Sequence, residues 1–148
     1  MTREELEAAA GRLVDAVNRH DPEGIAALYV EDGISRDVGR DMALMGRSQI
    51  RESMRVYFDA FPDLAWTPRR FSCDGNVAYL EWHGTMTHTG PYHGVAPTGR
   101  QVEVDGCSVL VLGESGSIVS GHIYWDVASL LRQLGLMPTW DSEQATAS

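Results

Sequence analysis

His122, Tyr124 and Asp126 stand two residues apart in a segment of alternating character, Ile118 to Asp126. In an extended strand that spacing puts all three on one face with Ile118 and Ser120, and leaves Val119, Ile123 and Trp125 on the other. A carboxylate, an imidazole and a phenol aligned beside an apolar pocket are a set for general acid/base chemistry. A carboxylate stripped of water holds its proton more readily than a free one and so becomes a useful base near neutral pH. Periodicity alone leaves either face free to be the inner one. Asp126 carries a second reading, because it directly precedes Val127, Ala128, Ser129 and Leu130, where an aspartate caps a helix by accepting amide hydrogen bonds. His122 likewise reads as a hydrogen-bonded structural histidine, and Tyr124 as core filler with a tethered hydroxyl.

Asp37 offers a second carboxylate, with Ser35 on its side if this segment is extended. Two carboxylates converging on one cavity can divide the work of acid and base. The competing reading is a loop aspartate beside Arg36 or Arg40. His83, His88 and His93 fall at five-residue steps that match no zinc motif, and no nearby carboxylate completes a facial triad, so no metal is expected. Cys73 and Cys107 form no C-x-x-C pair. Neither a phosphate-cradling glycine motif nor a G-x-S-x-G elbow occurs, and no cofactor is expected.

The elements that must position these groups are legible. Thr2 and Glu5 form a capping box ahead of Leu6, Ala9, Leu13, Val14 and Val17, which predicts an amphipathic helix to about Arg19. Asp21-Pro22 opens a second, short helix expected to end near Asp32-Gly33. A short strand is expected at 34–37, then a loop. A third helix is expected from Ser48, with Ile50, Met54, Tyr57, Phe58 and Phe61 on one face and Pro62 as its stop. From Leu64 the period becomes two, with turn residues at Asp74-Gly75, Gly90-Pro91, Pro97 to Gly99 and Glu114 to Gly116. That predicts strands near 64–73, 76–88, 100–112 and 117–126, then a helix over Val127–Leu134 stopped by Gly135. Helices followed by a four-strand antiparallel meander make an α+β domain, whose sheet buries both apolar faces by curving around the N-terminal helices and leaves a pocket between. One domain over 1–140 and a disordered tail at 141–148 are expected.

Composition excludes several classes of partner. Asp and Glu number 21 against 12 bases, all arginine, for a formal charge of −9. Such a chain repels phosphate backbones and anionic lipid, so neither nucleic acid nor membrane is expected as a partner. No apolar stretch approaches the ~20 residues of a membrane span. With no leader-like apolar segment after the charged start, a reduced, cytoplasmic setting is the expectation.

Several segments are similar to a known family. Val17 to Tyr29, with its Asp21-Pro22-Glu23-Gly24 core, resembles the second-helix region of the nuclear-transport-factor-2-like superfamily, curved-sheet cones with a central pocket. Thr89 to Arg100, and Trp125 to Gly135 with its D-x-x-x-L-L-R-Q-L-G run, resemble the SnoaL-like branch, polyketide cyclases that close rings by intramolecular aldol condensation without metal or cofactor. The resemblance reaches to about Trp140, and the closing run is its most specific piece. It implies that Asp126 is the general acid/base. The histidine and glutamine that the cyclases carry on the penultimate strand fall at Ser108 and Gly106, and their first-strand asparagine falls at Ser35. The first half resembles the ketosteroid isomerases, in which a base aspartate lies nine residues before a Gly-x-x-x-Ile-Arg-Glu helix start; Asp37 lies nine before Gly46. The isomerase oxyanion tyrosine falls at Leu13, and its later acid near Ser108.

The expectation is therefore a cofactor-independent SnoaL-like enzyme acting on a flat, apolar, oxygenated molecule. Asp126, Asp37 and His122 would be catalytic. Tyr124, Ser108, Ser35, Trp82, Leu13, Met54 and Phe58 would contact substrate. Isomerisation, dehydration and epoxide opening are the alternatives within acid/base chemistry; a non-catalytic ligand-binding or dimerisation module is the alternative outside it. A homodimer would pair outer sheet faces through Tyr79, Glu81, Val109, Val111 and Trp125.

Overall fold

The computed structural model of the chain describes residues 1–139. Helix α1 (Arg3–Asn18) opens on the capping box: Glu5 N–H donates to Thr2 Oγ1 at 3.1 Å, and Thr2 N–H donates to Glu5 Oε2 at 2.8 Å. Its buried stripe includes Leu6, Leu13, Val14 and Val17. Helix α2 (Pro22–Ala27) is capped by Asp21, which accepts from Gly24 N–H at 2.9 Å. It stops five residues short of the expected end, because Tyr29 already enters strand β1 (Tyr29–Asp37). The Leu28 carbonyl accepts from Ile118 N–H and Tyr29 pairs with Ile118, so ladder bonds hold this stretch extended.

Strand β2 (Met42–Met45), which falls in the expected loop, pairs antiparallel with β1 and leads into α3 (Gly46–Ala60). The meander follows: β3 (Ala65–Asp74), β4 (Val77–Thr87), β5 (Gln101–Leu112) and β6 (Ile118–Trp125), then α4 (Val127–Gln133). The order is β2-β1-β6-β5-β4-β3, in a curved, unclosed sheet. The meander is antiparallel as expected, but β1 joins it parallel to β6, which makes the whole sheet mixed.

One core lies between the concave face and α1–α3. It holds Leu6, Leu13, Val17, Ile50 and Phe61 from the helices, and Leu80, Trp82, Val102, Leu110 and Ile118 from the sheet. Among the described residues no helix is long and apolar enough to cross a membrane. The expected tail at 141–148 lies outside the described residues.

Candidate acid/base site

Asp37 ends β1, paired to Met42 on one side and Ile123 of β6 on the other. Ladder bonds on both sides fix its position, and its side chain is buried, 8% exposed. Three donors converge on its carboxylate. Trp125 Nε1–H reaches Oδ1 at 2.7 Å, Arg40 backbone N–H reaches Oδ1 at 3.1 Å, and the Tyr57 hydroxyl donates to Oδ2 at 3.1 Å. A carboxylate oxygen offers about two acceptor directions, so Oδ1 is filled and Oδ2 keeps one for a substrate proton.

Tyr57 projects from the last turn of α3 and is itself gripped. Arg40 Nη1 donates to its oxygen at 2.9 Å, and the Tyr92 hydroxyl approaches at 3.4 Å. The Tyr57 ring meets Trp125 edge-on with centroids 6.0 Å apart, and the Arg40 guanidinium lies 5.6 Å from the Tyr57 ring centre and 5.8 Å from that of Tyr92. Burial pushes the Tyr57 hydroxyl well above its ordinary range, and Tyr92 and Asp37 add to this against the opposing charge of Arg40. Tyr57 therefore stays protonated and acts as a donor. Burial also raises Tyr92. His93 beside it is lowered by burial and by Arg40, against Asp37.

Asp37 and Tyr57 border a cavity of two lobes that also share Met54, Trp66 and Ile123. The lobe toward the end of β6 is otherwise walled by Leu64, Trp82, Met86, Val104 and Trp125. The lobe toward α1 lies between Leu13, Val17, Ile25, Tyr29, Ser35, Leu44, Ile50, Ser53 and Leu110. These walls are hydrocarbon and indole, with a few hydroxyls. A single carboxylate with a free acceptor direction, in such a cavity, is equipped to take a proton from a carbon acid and return it.

The expected site residues divide. Asp37, Leu13, Met54, Ser35 and Trp82 border the cavity. Ser108 is fully buried behind the wall, where its Oγ accepts the Trp82 indole N–H at 3.1 Å. Gly106 leaves room for that indole; a Cβ there would lie 2.3 Å from the Trp82 ring. Trp82 in turn stacks on Trp66, ring centres 4.1 Å apart and 9° from parallel. Ser108→Ala strands a buried indole N–H, so chemical denaturation is expected to register a loss of about 1–3 kcal/mol. Phe58 packs in the core against His20, away from the cavity.

The expectation for the last strand needs correction. Leu112 pairs with Ile118 but Val111 with Ser120, so Val119 is an extra residue on β6 and the alternation reverses there. Ile123 and Trp125 face the cavity, while His122 and the exposed Tyr124 lie on the outer face of the sheet. Trp125 is accordingly no part of an outer-face surface. Asp126 is exposed and caps α4, accepting from Ser129 N–H at 3.0 Å; it borders neither lobe. Removing that cap as Asp126→Ala is expected to lower the thermal midpoint by the equivalent of about 0.5–2 kcal/mol. Turnover is expected to change less than twofold, because Asp126 borders neither lobe, and a large loss at an intact fold would return Asp126 to the site.

Tyr57, Arg40, Tyr92 and Trp125 were not singled out as site residues by their spacing. They come from four separate segments, where the sequence marks Tyr57 only as part of an apolar helix face, Arg40 only as a neighbour of Asp37, and Trp125 only as part of an outer face. Of the three histidines, His83 pairs with Asp105 at 2.8 Å on the exposed face, His88 is buried against Thr98, and His93 lies beside Tyr92.

A family model described as SnoaL-like polyketide cyclase matches residues 7–134. Among solved structures, AclR from Streptomyces galilaeus, whose proposed activity is that of a hydroxylase, superposes with a TM-score of 0.87 at 26% identity, covering 99% of this chain and 95% of its own. IdmH from Streptomyces antibioticus, a proposed polyketide cyclase, gives 0.75 at 22% identity over 88% and 98%. SalBIII, an epoxide hydrolase/cyclase-like enzyme of pyran ring formation in salinomycin, gives 0.73 at 20% over 85% and 94%. A search of curated proteins finds no match.

Proposed function

Because the chain belongs to the SnoaL-like polyketide cyclase family, we propose that it is an acid/base enzyme of the cyclase or isomerase type, with Asp37 as the proton carrier. The observation that supports this reading most is the carboxylate itself: buried at the junction of two apolar lobes, positioned by three donors, with an acceptor direction free on Oδ2. The substrate is a flat, largely apolar ketone or polyketide whose acidic C–H reaches Oδ2.

Asp37 removes the proton from carbon and the C–H electron pair becomes an enolate. The Tyr57 hydroxyl, kept protonated by burial, donates to Asp37 in the resting site and is free to turn to the enolate oxygen once Asp37 carries the proton. In a cyclisation the enolate carbon attacks a second carbonyl of the same molecule, and Asp37 returns its proton to the resulting alkoxide. In an isomerisation the proton returns to a different carbon. Both outcomes use the same residues, so the bound chain's shape decides between them. Family membership favours the cyclisation.

Proton abstraction can be read without the natural substrate. In deuterium oxide, 2-tetralone, a flat bicyclic ketone, is expected to exchange its α-protons with saturation kinetics in the presence of the protein, followed by NMR. Exchange no faster than that caused by an equal concentration of acetate would overturn the reading.

A further inference from the structure

Arg40 has more hydrogen-bonding capacity than the protein uses. Of its five N–H groups one, on Nη1, is committed to Tyr57, and among the described residues no acceptor meets Nε or Nη2 and no carboxylate lies within ion-pair distance. Arg36, Arg51 and Arg70 show the contrast, each paired with an acid: Asp41, Glu23 and Glu81. Nε and Nη2 lie on one edge of the guanidinium and form the fork that matches the two oxygens of a carboxylate. The group is also fixed in place. The Tyr57 and Tyr92 rings lie against it, so little freedom is lost when a ligand docks.

Burial alone would weaken the charge, but Tyr57, Tyr92 and Asp37 outweigh it and hold the guanidinium ionised. In a chain of net charge −9 this is a half-buried cation; Arg40 itself walls neither lobe, but its Nη1 holds the hydroxyl of Tyr57, which lines both. From Nη1 to the Tyr57 oxygen is 2.9 Å, and from there to Asp37 Oδ2 is 3.1 Å, so the guanidinium that carries the fork is linked to the proton carrier through two hydrogen bonds.

We infer that Arg40 anchors an anionic oxygen group of the substrate, a carboxylate, through Nε and Nη2, so that the substrate class is an apolar acid. The inference rests on the acid/base reading for the place where the substrate reacts, and adds which end of it is recognised. The carboxylate sits at Arg40 and the carbon acid, a few bonds away, reaches Asp37.

A binding test separates this from the chemistry, since it needs no proton transfer. The probes are 2-naphthoate and its neutral counterpart 2-naphthamide, followed by quenching of Trp66, Trp82 and Trp125, which wall the cavity. Wild-type protein is expected to prefer the carboxylate by tenfold or more, the usual range for a charge-assisted pair. Arg40→Gln should abolish the preference. Arg40→Lys, which keeps the charge but not the fork, should retain only part of it. Equal binding of the two probes by wild type, no naphthoate binding up to millimolar concentration, or a full preference in Arg40→Gln would each overturn the inference. The wild-type comparison decides even if a variant fails to fold. Asp37→Asn should keep the naphthoate preference while losing 2-tetralone exchange, so failure of the anchor and failure of the base are distinguishable.

Discussion

Asp37→Asn is expected to slow the exchange of 2-tetralone protons by about 10²–10⁴-fold, the usual worth of a positioned general base. The change is close to isosteric and the surroundings suit it. The amide oxygen can take the Oδ1 place, where the Trp125 indole and the Arg40 amide both donate. The amide nitrogen then faces the Tyr57 oxygen, which can accept from it once the Tyr57–Tyr92 hydrogen bond reverses and Tyr57 donates to Tyr92. Stability should therefore change little, and near-ultraviolet circular dichroism should confirm that the aromatic cluster is intact. Only the basic lone pair is removed. An exchange rate within threefold of wild type, with the fold intact, would mean that another group carries the proton.

Gly90→Ala is expected to have the largest effect on stability. Residues 88–99 form a loop tied to the end of α3: the Thr89 and Gly90 amides both donate to the Ala60 carbonyl, at 3.1 and 3.0 Å. At Gly90 an added Cβ would lie 2.0 Å from the Asp59 carbonyl oxygen, a contact with backbone that no side-chain rotation relieves. The loop must lift, and with it Tyr92, which is buried against Tyr57 and Phe61. Overpacking of this kind costs about 1–3 kcal/mol and sometimes more. At this chain length that lowers the thermal midpoint by roughly 3–12 °C. Naphthoate affinity should fall as well, because one of the two rings lying against Arg40 leaves with the loop. An unchanged midpoint would mean that the loop docks on α3 differently from the contact described above.

The fold was largely legible in the sequence because its signals are local. The Thr2–Glu5 capping box, Asp21-Pro22, the stop at Pro62 and the glycine turns of the meander each act within a few residues, and each marks an element found in the structure. The site was less so. Asp37 could be singled out through the resemblance of its segment to the ketosteroid isomerases, but the groups that hold it come from α3, the β1–β2 turn and the end of β6, and no short-range pattern joins those segments. Alternation left either face of β6 free to be the inner one, and it does not run unbroken along the strand. A single extra residue, Val119, reverses the alternation, and nothing in the identity of that residue announces it. Asp126 shows the opposite case. The helix-capping chemistry readable from Asp126 to Leu130 describes its geometry, whereas the role implied by resemblance did not bring it to the cavity.

The sheet is unclosed, and its two outermost strands protect it from a growth that a flat sheet would invite. On β3 the outward row of ladder donors is interrupted at Pro68, which has no N–H, and the adjoining Arg69 and Arg70 are exposed at a break in register. On the opposite side β2 is four residues long, too short to template much. A second copy therefore finds no long, regular strand edge to add to at either end. The chain can keep a deep cavity in an open cone without closing the sheet into a barrel, and without the edge-to-edge stacking that leads to fibrils.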